Sequence, residues 1–356
     1  MRYRRLGRTG LQVSEIGLGG GGLRCSTTAY AVALIGRALE LGINYIDTAS
    51  SYGDSEAKVG IALEGRRKQA SIATKLDART ARDARREFAD SLARLRTDYV
   101  DVLHLHAVNS IEDLDRCMSR GGAWEAMQRA REEGAARFLG ITGHRHEVLV
   151  EALKRDVFDV ALFIMNVVER DAEKELIPLA LARDIGMTVM KPLATGLVPA
   201  GLALRYLLTY PVATVLPSAT RSDWLEEDVA AIEGPLSEAE RAEAERWRSD
   251  LEHVRCRICS LCEPCPEGIK IGSLLGTYRF YNEFRSMGRQ RFLAFPWGGW
   301  ARASFSKELD ARMAAIAGCT ECGDCEPGCP HQLPIAKMLK AMLPTLRELK
   351  EITKSW

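Results

Sequence analysis

Short apolar runs alternate along most of this chain with longer stretches whose apolar residues recur at helical spacing. The runs are Val13 to Leu18, Tyr45 to Asp47, Ser71 to Lys75, Val100 to His106, Phe138 to Thr142, Val160 to Asn166, Met187 to Lys191 and Thr214 to Pro217. Helical periodicity lies between them, as in Tyr30 to Leu41, Ala81 to Leu95, Trp124 to Glu133, Ala172 to Arg183 and Leu202 to Leu208. Strands in strict alternation with helices predict an α/β fold with a closed parallel sheet, a (β/α)8 TIM barrel, entered through an N-terminal β-hairpin. An open, doubly wound sheet is the alternative, but Gly17-Leu18-Gly19-Gly20-Gly21-Gly22 only loosely imitates the phosphate loop that fold would carry. The alternation stops near Glu233-Gly234-Pro235, and Ser237 with Glu240 three residues later reads as a capping box opening a charged helix. Beyond it cysteine, glycine, proline and aromatics rise, which divides the chain into residues 1–250, the barrel, and 251–356, a second and smaller domain.

Charge narrows the range of partners. Forty-nine basic residues against 48 acidic ones leave a net charge of +1, so neither a nucleic acid nor an anionic membrane is expected as a partner. Arg66-Arg67-Lys68 and Arg85-Arg86 read as solvated helix faces rather than a nucleic-acid stripe. Eight of the ten cysteines fall in two C-terminal runs, a distribution that fits metal ligation in a reducing compartment better than a disulfide framework. With no apolar run long enough to cross a bilayer, the expected location is cytoplasmic.

The candidate chemistry sits where strands end. Asp47, Lys75 and His106 close three of the apolar runs and Tyr52 lies in the turn after the first of these, so a barrel would bring all four to one face. A lysine ammonium lowers the pKa of a nearby phenol, an aspartate holds that lysine charged, and a histidine orients a substrate oxygen. Such a group delivers a proton to a carbonyl oxygen while a hydride reaches carbon, or runs the reverse; the expected substrate is a small carbonyl compound or alcohol. Each residue taken singly also has an ordinary structural reading. His104 is the rival to His106 but lies two residues deeper in the strand.

Leu6-Gly7-Arg8-Thr9-Gly10-Leu11, Asp47-Thr48-Ala49-Ser50-Ser51-Tyr52-Gly53, Thr74-Lys75 and Tyr99-Val100-Asp101-Val102-Leu103-His104-Leu105-His106 together resemble the aldo-keto reductase superfamily, as far as about residue 235. The resemblance implies a (β/α)8 barrel that binds NADP or NAD without a Rossmann domain. It also implies Tyr52 as proton donor, Lys75 and Asp47 as its tuning pair and His106 as the orienting residue. Cofactor contacts are then expected from Thr142, Asn166, Lys191, Ser218 and Arg221, with Arg221 as a phosphate contact. Where the family usually offers polar groups to the nicotinamide carboxamide, this chain has Thr142-Gly143, Leu162 and Met190, so the nicotinamide pocket departs from the pattern.

The two cysteine runs are Cys256-x2-Cys259-x2-Cys262-x2-Cys265-Pro266 and Cys319-x2-Cys322-x2-Cys325-x3-Cys329-Pro330. Cysteines at two-residue spacing let one loop wrap an iron-sulfur cubane, whereas structural zinc prefers two pairs separated by a longer span. The second run matches the bacterial ferredoxin pattern, and the first is one residue short before its last cysteine. By that resemblance the C-terminal part is a small α-helical ferredoxin-like domain with two 4Fe-4S clusters, one held by Cys256, Cys259, Cys262 and Cys329 and the other by Cys319, Cys322, Cys325 and Cys265. Between the runs, Tyr278, Phe280, Tyr281, Phe284, Phe292, Phe295, Trp297 and Trp300 read as core, with a lid over the barrel mouth as the alternative. Cys25, near the barrel mouth, reads as a packed thiol, Cys117 sits in a polar helix region and is assigned no role, and His144 reads either as a contact to cofactor or substrate or as a helix-start residue.

The combination predicts an iron-sulfur oxidoreductase of aldo-keto reductase type. A nicotinamide passes two electrons as hydride and a cubane passes one, so coupling them calls for a splitter such as a flavin, or a substrate that tolerates radicals. Two alternatives stand beside it: a nicotinamide-independent enzyme whose clusters feed single electrons to a substrate in the barrel, and an electron-transfer or regulatory subunit with a redox partner protein.

Overall fold

A computed structural model describes residues 1–194, 196–218, 220–252, 254–257, 259–276, 290, 293 and 299–354, with backbone alone for 299–305. Two short antiparallel strands, β1 (Tyr3–Arg5) and β2 (Gln12–Ser14), form the entry hairpin, with Val13 opposite Arg4. Eight parallel strands follow in sequence order: β3 (Leu18–Gly19), β4 (Tyr45–Asp47), β5 (Ser71–Leu76), β6 (Val100–Leu105), β7 (Ala136–Gly143), β8 (Val160–Ile164), β9 (Gly186–Met190) and β10 (Thr214–Leu216). The barrel closes where Ile16 bridges Val215 and where Gly17 and Gly19 donate to the carbonyls of Val215 and Pro217. Val13 therefore belongs to the hairpin and not to the first barrel strand, which is shorter than the apolar run predicts. A Cβ at Gly17 would sit 2.6 Å from the Leu216 side chain, so the bare backbone at this position lets the closing strands approach.

The interior is filled by Tyr45, Ala73, Val102, Val160, Leu162 and Leu216, together with Leu6 and Val13 of the hairpin segment. Leu6 packs against Gly186, the first residue of β9, so the hairpin stoppers the amino-terminal end of the barrel and leaves the carboxyl end open. A second, larger apolar shell lies between strands and helices and includes Leu34 and Ile35 of helix Thr28–Glu40, Phe88 of Ala81–Leu95 and Trp124 of Ala123–Glu132. Threonine side chains start the first two of these helices, Thr27 accepting from Tyr30 N and Thr80 from Asp83 N, and Ser110 starts helix Ile111–Met118 by accepting from Asp113 N. Over 172–183, where one helix is predicted, a 3-10 turn (Asp171–Glu173) precedes a short helix (Leu176–Ala182).

At Ser237 the capping box is complete: Ser237 Oγ accepts from Glu240 N and the Glu240 carboxylate accepts from Ser237 N, opening helix Glu238–Leu251. Beyond that helix a separate core joins Ile271, Leu274 and Leu275 to Leu309, Ile316, Leu339 and Leu346, contributed by helices Ile271–Gly276, Gly299–Ala317 and Ile335–Thr353. The aromatic stretch read as core or lid, Tyr278 to Trp297, lies outside the described residues, as does the Trp300 side chain. Among the described residues no helix is long and apolar enough to cross a membrane.

Candidate active site

The open end of the barrel holds a cavity of about 840 Å³, within the range of about 300–1,000 Å³ common to small-molecule and cofactor sites. Asp47, Tyr52, Lys75 and His106 all line it. Strand pairing explains the convergence: Asp47 lies one step along β4 beside Ala73 of β5, and Lys75 lies beside His104 of β6. His106 follows the end of β6 rather than belonging to it, in the loop that Arg79 fixes by donating to the His106 carbonyl at 2.7 Å.

Lys75 is fully enclosed. Its Nζ donates to Asp47 Oδ1 at 2.6 Å and to the Thr48 carbonyl at 2.6 Å, and it stands 4.8 Å from the centroid of the Tyr52 ring. Burial alone would lower the Lys75 pKa, but the Asp47 carboxylate and the Tyr52 phenol outweigh it and raise it, so the ammonium stays charged. Burial also raises the Asp47 pKa against the pull of Lys75, and Asp47 Oδ2 has no hydrogen-bond partner among the described residues. Removing either member of such a pair would strand a charge at a cost of about 3–5 kcal/mol.

His106 meets the Tyr52 ring edge-on, with centroids 6.0 Å apart. Its Nδ1 lies 2.8 Å from Asp77 Oδ1. Although partial burial works the other way, the imidazole beside Asp77 brings that carboxyl down to about 2. His104, the rival, is wholly buried, and burial holds its ring well below the usual histidine range, with the charge of Lys75 adding to the effect. It underlies Gly140, where a Cβ would stand 2.3 Å from its Nδ1, and it does not reach the cavity wall.

The expected cofactor contacts divide. Thr142, Lys191, Ser218 and Arg221 line the cavity; Asn166 does not. Its Oδ1 accepts from Val168 N and Glu169 N, and its Nδ2 donates to Glu169 Oε2 and to the Lys191 carbonyl, so its polar atoms are taken by its own loop and by the end of β9. Thr142 Oγ1 accepts from Ala107 N at 2.9 Å. Arg221 forks onto Asp223 at 2.8 and 2.6 Å at the start of helix Ser222–Ala231. Leu162 and Met190 are on the wall. His144 also lines the cavity, its pKa pushed down to about 3 by burial and then by Lys191, which leaves a neutral imidazole there.

Several contributors had little sequence signal. Asp77 lies two residues past Lys75 at the same strand exit, which is the one hint the sequence offered. Lys58, nearly inaccessible, ties Asp54 to the carbonyls of Leu23 and Ser26 and so pins the Tyr52 turn to the glycine segment after β3. Asp228 is buried on the cavity wall without a hydrogen bond or ion pair among the described residues, and burial, aided by Glu227, raises its pKa to about 7. Ser273, Gly276, Glu308 and Arg312 bring the C-terminal part of the chain onto the wall; Arg312 Nη1 donates to the Ser273 carbonyl.

The eight clustered cysteines gather around two small cavities. Cys256, Cys259, Cys262 and Cys329 surround one, and Cys265, Cys319, Cys322 and Cys325 surround the other, the same crossed sets that the ferredoxin resemblance implies. Four thiols at each cavity suit a group that binds thiolates and supplies cationic charge. Without one, burial and the neighbouring Cys256 and Cys259 push the Cys262 thiol up to about 12, and burial with Glu326, Cys265 and Cys319 raises Cys325. The short helix Ile271–Gly276 has both jobs at once: Gly272 and Leu275 face the first cysteine cavity, while Ser273 and Gly276 face the barrel cavity. Cys25 lines the barrel cavity, and Cys117 is buried with its thiol raised to about 11 by burial.

Residues 15–201 match the aldo/keto reductase family, and residues 255–334 match the 4Fe-4S dicluster domain. The chain is 32% identical over 211 residues to the uncharacterized oxidoreductase YqkF of Bacillus subtilis, covering 55% of this chain and 66% of that one. It is 34% identical over 216 residues to L-galactose dehydrogenase of Arabidopsis thaliana, covering 55% and 67%. These matches span about two thirds of the relatives' length. Among solved structures, the holo form of aldo-keto reductase AKR11C1 from Bacillus halodurans superposes with a TM-score of 0.62 at 31% identity, covering 69% of this chain and 96% of that one.

Proposed function

The chain belongs to the aldo/keto reductase family, and from that premise we propose that it interconverts a small carbonyl compound and its alcohol at Tyr52, with two 4Fe-4S groups as an electron relay. The observation that carries the reading is the buried Lys75–Asp47 pair against the Tyr52 ring, open to the cavity on the other side. When bound, a nicotinamide supplies hydride and the iron-sulfur groups supply single electrons. Tyr52 Oη gives its proton to the carbonyl oxygen, or takes it back from the alcohol, and the fixed ammonium of Lys75 favours the phenolate that forms. Asp77 takes the Nδ1 proton side of His106, leaving Nε2 to face substrate: the neutral ring accepts from an alcohol hydroxyl and the charged ring donates to a carbonyl. Thr142, Lys191, Ser218 and Arg221 are the residues to hold the nicotinamide dinucleotide, with Arg221 exchanging Asp223 for a phosphate.

The test uses anaerobically purified protein. NADPH or NADH is expected to bind, and Tyr52→Phe is expected to keep that affinity while turnover of small aldehydes or alcohols falls by about 10²–10⁴. Full turnover in Tyr52→Phe would sink the role given to the phenol.

Leu162 and Met190 favour a second reading, because a carboxamide placed against them lacks partners. In it, electrons enter only through the cysteines, from a one-electron partner protein. Turnover with dithionite and no nucleotide, combined with no nucleotide binding, would select it.

A further inference from the structure

Charge is distributed unequally between the two cysteine cavities. Among the described residues, the inner one, which shares helix Ile271–Gly276 with the barrel cavity, has Arg257 as the cation of its lining, itself paired with Asp171, and the Glu263 carboxylate stands beside it, accepting from Gly272 N at 2.8 Å. The outer one has Glu267 and Glu321 in its lining and no cation among the described residues. Cys322 of the outer set is the one exposed cysteine of the ten.

Arg257 is held in place from the barrel side: its Nη1 donates to Asp171 Oδ2 at 2.7 Å, next to the buried pair that Arg255 forms with Glu169 at 2.5 Å. With Nη1 taken by Asp171, its Nε–H is left buried, next in sequence to Cys256 and without an acceptor among the described residues. A buried guanidinium donor without an acceptor is costly unless something in the cavity takes the bond. Thiolate and sulfide sulfur are the acceptors that an iron-sulfur group brings.

Resting on the two-cluster reading above, we propose that Arg257 donates through Nε to sulfur in the inner cavity and thereby makes the inner site the acceptor, and the outer site the entry port, of a one-way relay toward the barrel. A hydrogen bond to sulfur and a nearby positive charge both stabilise the added electron, so they raise the inner potential. Carboxylates beside the outer site lower its potential; Lys340, 3.3 Å from Glu321, offsets this in part. Filled by iron-sulfur groups, the two sites would pass an electron from an external one-electron reductant at the outer site to the inner one, the first being reoxidised as the second is reduced, with no proton and no bond exchanged.

The experiment is a potentiometric titration of the anaerobic full-length protein with dithionite, followed by EPR, preceded by iron and sulfide analysis. Two distinct couples are expected. Arg257→Leu should lower the upper couple toward the lower one, Arg257→Lys, which keeps charge but loses the Nε donor, should restore only part, and Glu321→Gln should raise the lower couple alone. Arg257→Leu leaving both couples in place, or moving the lower one, overturns the proposal while two full clusters keep the two-cluster reading. Iron short of two four-iron groups per wild-type chain overturns both.

Discussion

Asp228 shows what a single unpartnered carboxyl does to a barrel wall. Its folded-state pKa of about 7 lies well above the ordinary carboxylate value because burial, with Glu227 behind it, disfavours the charged form. Between about pH 4 and pH 7 the folded chain binds this proton and the unfolded chain releases it. Stability from this site is therefore fully present at low pH and falls as pH rises through that window, by on the order of 4 kcal/mol. Asp228→Asn is expected to narrow the gap between melting temperatures at pH 5 and pH 8, and an unchanged gap would count against the argument. Asp77 is the opposite case at the same mouth: with its pKa near 2, it is charged across the whole neutral range.

At the scale of elements, the strands were legible because β4 to β10 are apolar runs bounded by turns, and Asp47 and Lys75 were legible because they sit at or beside the ends of those runs. The limits came from geometry with no local signature. Ile271-Gly272-Ser273-Leu274-Leu275-Gly276, the helix-like sequence after the first cysteine run, is a short helix, but nothing in its residues says that it separates two cavities. Asn166 ends an apolar run as Lys75 does, yet the tight turn after β8 consumes its amide, and an apolar pattern does not register that. The crossed cysteine sets could be read only through the ferredoxin resemblance, since spacing alone does not say which cavity a fourth cysteine joins. Capping chemistry was fully local and was read correctly at Ser237. Ser237→Ala removes the bond from Glu240 N to the Ser237 hydroxyl and leaves the Glu240 carboxylate its bond from the backbone N–H of residue 237 and its ion pair with Arg205. A loss of about 1 kcal/mol is expected, measured as a lower melting temperature, and a melting temperature equal to wild type would show the box to be unnecessary.

Across the whole molecule, the inner cysteine cavity and the barrel cavity share helix Ile271–Gly276 as a wall. Filling the inner cysteine set would hold Ile271–Gly276, and through it the side of the barrel cavity bearing Ser273, Gly276 and Arg312. Removing iron with a chelator is expected to expose residues beyond 251 to proteolysis, spare the barrel and weaken ligand binding in the barrel cavity. Protease patterns and nucleotide affinities unchanged after chelation would show that the wall stands without metal.

The hairpin at the other end has a kinetic consequence. Leu6 and Val13 stopper the barrel, so everything that enters its cavity must leave by the same mouth. A single doorway imposes an order of traffic: the deeper ligand is first in and last out, and the shallower product cannot wait for it. Product-inhibition patterns would therefore be those of an ordered sequence rather than a random one, and a random pattern would mean that the doorway is wider than the stoppered barrel makes it.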